Sequence, residues 1–434
     1  MSNEPILPEL DYLAAEPVQH AITHRTTVTV QPVGTTYKEG GDLNFDIPRS
    51  ECATALHESY LRIRCKIVKG DGKACGTDDA VGPVNNLLHS MWKQVSVSLN
   101  GHEVEQIDHY PYRAYISALT SYSKDVLAAR GELSGWARDT AGEWADTSVA
   151  AAGKNVGFKA RAKPFATSQE VELIGRIDSD VMNQGRDIPP NTLIHVSLTR
   201  SSDAFVLMSA TSNASYKLVI LEADMVVVRD KLAPSLHRAH LDLTQKFNLS
   251  VDYRHSKVVT YNLSAGTTEG SVTEAFTSNV NLPDRFVAFL VANDAFSGAL
   301  SKNPFEFAHH KLKSIVAKVN ENTYVPSEGY KPNFTSGRVE NEYYNLLREF
   351  DADEENFMLD LSKNDFSNGY AIYPFRIVPR TRGGDVLGPT TGGSITISYA
   401  FETALATTCT LILVADYRGS FELRSQGDFA PPTA

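Results

Sequence analysis

The feature that most constrains this chain is a two-residue hydrophobic period that recurs along its whole length. YLRIRCKIV, Tyr60 to Val68, places Leu61, Ile63, Cys65 and Ile67 on one side of an extended segment. Successive side chains of a strand point to opposite faces, so this alternation describes a sheet with one apolar and one polar face. TTVTVQPV from Thr26, VELIGRI from Val171, TLIHVSLT from Thr192 and YKLVILEADMVVV from Tyr216 carry the same signal. In the second half KVVTYNLS, RFVAFLVA, LKSIVAKV, YAIYPFRIV, SITISYAF and TCTLILVADY continue it. Many short strands with turn-rich joins predict sandwiches or barrels.

WKQVSVSLNGHEVEQI, Trp92 to Ile107, is among the clearest hairpins. Asn100-Gly101 suits a tight turn with positive φ. Val95, Val97 and Leu99 are then expected in the core, and His102, Glu103 and Glu105 are read as exposed or interface polar residues. Helical spacing is rare. Tyr112 to Ala129 shows it through Tyr115, Ile116, Leu119, Tyr122, Val126 and Leu127, the pattern of an amphipathic helix. A short helix is also expected in KLAPSLHRAHLDLTQK, Lys231 to Lys246, where Pro234 is tolerated near a helix start. Ser134 to Lys163, Val325 to Gly337 and Pro379 to Gly393 read as long joins, and loops of that length usually carry contacts.

The order of features repeats. A strand, the Asn100-Gly101 turn and the aromatic stretch HYPYRAYISALTSYSKDVL occur in the first half. LKSIVAKVN, a turn near Asn320 to Asn322 and EYYNLLREF follow the same order in the second. With 434 residues, each half has room for a sandwich of about eight strands. Two similar β domains in tandem are expected, and one large irregular β protein is the alternative.

Candidate chemistry is sparse. There is no G-x-S-x-G elbow and no P-loop, and GPTTGG from Gly388 lacks the lysine and following helix that cradle phosphate. His237 with His240, His309 with His310, and His20 with His24 form pairs that no cysteine or carboxylate completes, whereas zinc needs three or four converging ligands. DADEE, Asp351 to Glu355, lacks the spacing of a calcium loop and reads as a solvated acidic turn. Cys52, Cys65, Cys75 and Cys409 match no metal or redox spacing, and the start MSNEPILPEL lacks the parts of a signal peptide, so free thiols are expected. The N-x-S/T triplets at Asn213, Asn248, Asn262 and Asn333 are accordingly expected to be chance matches. No apolar run approaches the roughly 18 residues of a membrane span.

A net charge of −11 disfavours a broad nucleic-acid surface. The densest basic group is Lys154, Lys159, Arg161 and Lys163, with Phe158 and Phe165 flanking its last three charges. It suits a phosphate-contacting strip or a salt-bridging loop against an acidic neighbouring subunit. Tyr110, Tyr112 and Tyr115 offer possible stacking faces for sugars, but their close spacing near a helix start favours packing. No catalytic, cofactor-binding or metal-binding residue is assigned, and no cofactor is expected.

VGPVNNLLHSMWKQVSVSLNGHEVE from Val81, followed by YPYRAYISALTSYSKD from Tyr110, resembles the major-capsid-type proteins of viral and transposon-like eukaryotic DNA elements, including transposon-derived proteins of animal genomes. GRIDSD from Gly175, LTRSSDAFVLM from Leu198 and VVVRDKLAPSLHRAH from Val226 extend the likeness. LVANDAFSGALSKNPFEFAHHKLKSI from Leu290, NDFSNGYAIYPF from Asn364 and YAFETALATTCTLILVADY from Tyr399 carry it to Tyr417. The resemblance implies an all-β double jelly roll with short helices in loops. Its first jelly roll would span 20–230 and its second 247–420, joined by a helical linker over 231–246 and followed by a tail over 421–434.

It further implies a major capsid protein in which three chains form a pseudo-hexagonal capsomer, and capsomers tile an icosahedral shell around double-stranded DNA. Implied partners are the homotrimer, neighbouring capsomers, minor capsid or pentameric vertex proteins, and non-specific contact with packaged DNA. The implied location is the virion capsid, assembled in the host cell. The family has no catalytic residues to carry over. RGSFELRSQGDFAPPTA, after Tyr417, departs from the acidic, asparagine-containing end of the group and reads as a local contact arm. The competing reading is a glycan- or receptor-binding β-sandwich of a virus surface, using Trp92 and Tyr110. A hydrolase is a third, for which no signature stands in the sequence.

Overall fold

The alternating segments form strands where they are expected. The computed structural model describes residues 19–433 except 78, 212–214, 248, 277–281, 321–322, 351–358, 379–391 and 424–428. The first half contains β1 (Ile22–Val30), β2 (Leu43–Ile47), β3 (Ala53–Lys69), β4 (Val81–Pro83) and β5 (Trp92–Leu99). It continues with β6 (His102–Asp108), β7 (Val171–Gly175), β8 (Ile194–Arg200), β9 (Leu207–Ser209) and β10 (Tyr216–Leu232). The second half contains β11 (Leu249–Leu263), β12 (Glu269–Phe276), β13 (Arg285–Ala292), β14 (Leu312–Val319) and β15 (Thr323–Tyr330). It ends with β16 (Tyr373–Arg376), β17 (Gly393–Phe401), β18 (Cys409–Leu423) and β19 (Phe429–Thr433).

Strand order makes the internal repeat explicit. The first half pairs β1-β10-β3-β7 in one sheet and β2-β8-β5-β6 in the other. The second pairs β11-β18-β13-β16 and β12-β17-β14-β15, with β19 added beside β18. Each of the eight strands in these two paths has its counterpart at the same place in the other half, whereas β4 and β9 pair with each other apart from them, and the pairings are antiparallel. In each half the first strand lies beside the last long strand, β1 beside β10 and β11 beside β18, the order of a jelly roll. Two tandem jelly-roll sandwiches with short helices in their loops are the architecture.

The two sandwiches bury their sheets differently. In β3, Leu61, Ile63, Cys65 and Ile67 enter the core, whereas Arg62, Arg64 and Lys66 stay half-exposed. In β13 every residue from Phe286 to Val291 is buried. A strand covered on one face alternates, and a strand covered on both reads as a continuous apolar run. Val259, Leu413 and Ala415 face Val272, Ile395 and Ile397 across the second core. Val287 and Val414, in the opposite row, face the first sandwich.

Several elements differ from expectation. The helix expected over 112–129 spans Tyr110–Ser121, breaks through extended backbone at Tyr122 and Ser123, and resumes as short turns at Lys124–Val126 and Leu127–Gly131. Serine favours local hydrogen bonding over helix continuation, and Ser121 and Ser123 flank the break. The helix is also buried around most of its circumference rather than along one stripe, because it lies between the sandwiches. The join expected from Val325 contains the rest of β15, an edge strand in which Pro326 and Gly329 hide the alternation. The residues described beyond Phe421 do not project as a separate arm. Strand β18 runs to Leu423, and Phe429–Thr433 pairs back onto it. The DADEE segment and most of GPTTGG lie outside the described residues. The helix expected between the halves spans Pro234–Lys246 and leaves Leu241, Leu243 and Phe247 exposed.

The β5–β6 hairpin forms around Asn100 and Gly101, both with positive φ. Val95, Val97 and Leu99 are buried, but Glu105 is buried too. A bulge lies between the pairs Ser98–Glu103 and Val97–Glu105, so Val104 is the extra residue. One extra residue inverts the facing of everything after it, and Glu105 turns to the side of Val97. A Cβ at Gly101 would meet no atom within 4 Å, so its constraint is backbone conformation alone. Gly101→Val is expected to destabilise the chain by about 1–2 kcal/mol through left-handed strain, measured as a lowered denaturant midpoint at unchanged slope.

Candidate functional site

The residues that hold the two sandwiches together form an extended polar and aromatic constellation. Tyr112 and Tyr115, one turn apart on the Tyr110–Ser121 helix, enter a cluster drawn from both halves. Tyr115 stacks on Phe305 with ring centroids 4.2 Å apart, and lies 5.1 Å from Trp136 and 5.7 Å from Phe307. Tyr112 contacts Phe205, Phe289, Phe296 and Phe305 at 5.8–6.2 Å. Offset and edge-on ring pairs each add about 0.5–1.5 kcal/mol beyond area burial, so this cluster alone is a strong cohesive element.

Polar bonds surround it. Trp144 Nε1 donates to the Asn368 carbonyl at 2.8 Å, the Gly142 N–H donates to the same carbonyl at 3.0 Å, and Tyr370 Oη donates to the Asp139 carbonyl at 3.2 Å. Arg138 reaches Asp365 at 2.9 Å, and Tyr253 Oη donates to the Val104 carbonyl at 3.2 Å. Gly369 has a φ of +109°, and a Cβ there would overlap the Trp144 indole. Only glycine allows the two segments to approach this closely.

A buried charge cluster lies at the same seam. Arg113 pairs with Asp178 at 2.6 Å and with Asp180 at 2.5 Å, and its side chain is only 6% exposed. The Glu105 carboxylate, brought inward by the bulge, accepts from Ser179 Oγ and from the Asp180 and Val181 N–H groups at 2.9 and 3.2 Å. The second half closes the cluster. The Ser256 N–H donates to Asp180 at 2.9 Å, Ser256 Oγ donates to Asp416 at 3.0 Å, and Arg285 Nε donates to Asp416 at 2.7 Å. Arg285 also lies over the Phe350 ring at 4.7 Å. A cavity of about 130 Å³ opens among Arg113, Thr120, Arg254, Arg285 and Glu349.

Burial raises the Asp180 carboxyl to about 7, with Arg113 only partly opposing the rise. Glu105 is raised by the same desolvation. The Arg113 guanidinium opposes the rise at both Glu105 and Asp180, and burial outweighs it. His89 is pushed down to about 4 by burial, and its Nδ1 meets Tyr110 Oη at 2.7 Å. It therefore faces the tyrosine as a neutral ring.

The other sequence candidates do not converge. Among the described residues, no group of three or more His, Cys, Asp or Glu side chains is placed to hold a metal. His237 and His240 lie on the linker helix, and His309 stacks on Phe334 at 3.9 Å. His310 Nε2 is 3.5 Å from the buried Cys409 thiol, but burial lowers the histidine and raises the thiol, which keeps both neutral rather than forming a thiolate. All four cysteines are free. Arg161, the centre of the basic group, is buried against Asp139 at 2.7 Å, and Phe158 and Phe165 are core residues, so no continuous phosphate-contacting strip forms. Trp92 and Tyr110 are each 1% exposed, which removes the stacking faces that a glycan reading requires.

Sequence reasoning passed over Arg113, Asp178 and Asp180. The signal present was RFVAFLVA: its lack of alternation marks a sheet covered on both faces, hence a second body packed on it.

No family model matches the sequence, and neither does any curated protein. Solved structures do match the fold. A chain of the Sputnik virophage structure superposes with a TM-score of 0.67 at 11% identity, covering 100% of this chain and 94% of that one. The Faustovirus major capsid protein gives 0.59 at 8% identity over 94% and 92%. The mavirus major capsid protein gives 0.55 at 12% identity over 99% and 95%. This chain is a double jelly roll. The double jelly roll is shared through strand order and not through side chains, as identity this low requires.

The seam generates two expected outcomes. Gly369→Ala is expected to lower stability by about 1–3 kcal/mol through overpacking against Trp144, read as a fall in thermal midpoint. For Asp180, the folded pKa near 7 exceeds the ordinary value of 3.8, so its contribution to stability declines as pH rises from about 4 to about 7 and is level above. Asp180→Asn, which fixes an uncharged side chain, is expected to flatten that slope, so that variant and parent are closest in stability near pH 4 and diverge as pH rises toward 7, measured by denaturant titration across pH.

Proposed function

We propose that the protein is a major capsid protein, a structural subunit that self-assembles into pseudo-hexagonal homotrimers tiling an icosahedral shell around double-stranded DNA. One observation carries this reading: the two-sandwich fold aligns with major capsid proteins over 94–99% of this chain. A double jelly roll supplies two similar wedges per chain, so three chains offer six positions around a ring.

The physical design agrees with that work. Strands share two closed cores and resist shear, while long connections vary without disturbing them. Polar and ionisable groups gather at the seam, where they fix the angle between the wedges, rather than in an open catalytic cleft. Neighbouring capsomers and minor capsid or pentameric vertex proteins would complete the shell, and the virion capsid is the place of action.

Mass measurement coupled to size-exclusion chromatography, followed by electron microscopy, tests the reading. The expected result is a trimer with six-lobed projections. A chain that stays monomeric at high concentration and across ionic conditions overturns it.

A further inference from the structure

The Tyr110–Ser121 helix turns Arg113, Ile116 and Thr120 toward the second sandwich, and a different face, with Ala114 and Ala118, toward a cavity of about 280 Å³. The other walls of the cavity are the 122–136 segment, Tyr60 of β3, and Ile174 and Ile177 at and just beyond the end of β7. The two alanines are one turn apart and stop at Cβ, which leaves the space open. Leu127, Trp136 and Ile177 are buried in the lining and make it apolar. Tyr122 and Leu133 are 41% and 55% exposed in the same lining and mark the mouth. Leu127–Gly131 is a π turn that brings Leu127, Arg130 and Gly131 to the cavity together, and single π turns are frequent at functional sites. The volume stands at the lower end of small-molecule pockets, which run from about 300 Å³ upward.

The unused polar groups of the lining are donors. Asn86 is 3% exposed; its Oδ1 accepts from Ser134 Oγ at 3.4 Å, and its Nδ2 has no acceptor among the described residues. Tyr110 Oη accepts from the Asp178 N–H at 2.9 Å, so it gives its own proton to His89 Nδ1, 2.7 Å away. The neutral His89 ring then carries its proton on Nε2, which also lacks a partner among the described residues. Glu58 is held by Arg25 at 2.8 Å and Asp178 by Arg113 at 2.6 Å, so both carboxylates of the lining are already paired. Arg130 and Arg176 are exposed in the lining, and neither has a carboxylate partner among the described residues. The charge left over is therefore positive.

We infer that this cavity binds a small amphipathic anion, one ring or short acyl chain that bears a carboxylate or phosphate group. The apolar body lies against Trp136 and the two alanines. The anionic oxygens take the guanidiniums, whose charge-assisted bonds are the strong ones, and the N–H donors fix the ligand's orientation. One chain supplies every wall, so the site does not depend on self-assembly.

Calorimetric titration of the full chain with octanoate and with 4-phenylbutyrate tests this, and the two acids separate an acyl body from an aromatic one. At least one of them is expected to bind, with one site per chain. Arg130→Gln with Arg176→Gln, at exposed positions, is expected to weaken that acid about tenfold, as loss of hydrogen bonds to charged groups does. Ala118→Leu is expected to fill the cavity and abolish binding. Thermal midpoints verify folding, and the arginine variant decides alone if Ala118→Leu does not fold.

The inference is overturned if neither acid binds. It is overturned equally if acetate, or a neutral alcohol with the same body, binds as tightly as the acid. Either variant that folds and keeps the parent's affinity also overturns it.

Discussion

Arg113 is the charge around which the two sandwiches meet. A buried guanidinium is tolerated only when carboxylates and hydrogen bonds replace the water it has lost. Here those carboxylates are Asp178 and Asp180 on the loop after β7, with Glu105 on β6 holding the same loop by its backbone N–H groups. Asp180 then reaches across to Ser256 of the second sandwich, and Ser256 hands on to Asp416 and Arg285. The chain of bonds runs from a bulge in one sheet to the sheet of the other. The angle between the wedges is thereby set by directional contacts, while the Tyr115–Phe305 stack beside them supplies non-directional cohesion.

The same seam explains why equivalent sheets have unequal chemistry. The β11-β18-β13-β16 sheet is permanently covered by its own chain, so its outer row can be valine, as at Val287 and Val414. In the β1-β10-β3-β7 sheet the outward row of β3 is Arg62, Arg64 and Lys66, half-exposed, with both arginines paired to carboxylates, although β10 is buried on both sides from Met225 to Asp230. Exposed ion pairs of this kind contribute only about 0–1 kcal/mol each, so their value to folding is small. They leave a half-exposed row compatible with water.

Much of the fold was legible because alternation is a local signal. YLRIRCKIV and SITISYAF announce their strands in the residues themselves, and Asn100-Gly101 announces its turn. The repeat was legible as feature order even where residues differ. Glu105 was not legible, because a single bulge at Val104 inverts its facing and nothing in HEVEQI distinguishes a bulged strand from a regular one. Strand β15 was obscured by Pro326 and Gly329, which an edge position permits. Tyr112 and Tyr115 were correctly read as packing residues, but their partners Phe289 and Phe305 lie far away in sequence.

By itself, then, the sequence determined the local elements: which segments extend, where the tight turns fall, and that the chain is built twice on one plan. These depend on side-chain periodicity and backbone conformation over a few residues. Only the tertiary structure decided the seam. Which carboxylates surround Arg113, why Gly369 must lack a side chain beside Trp144, and which of two equivalent sheets receives the Tyr110–Ser121 helix all depend on residues separated by much of the chain. Desolvation, charge pairing and close approach are properties of places, and a place exists only after distant segments have packed to make it.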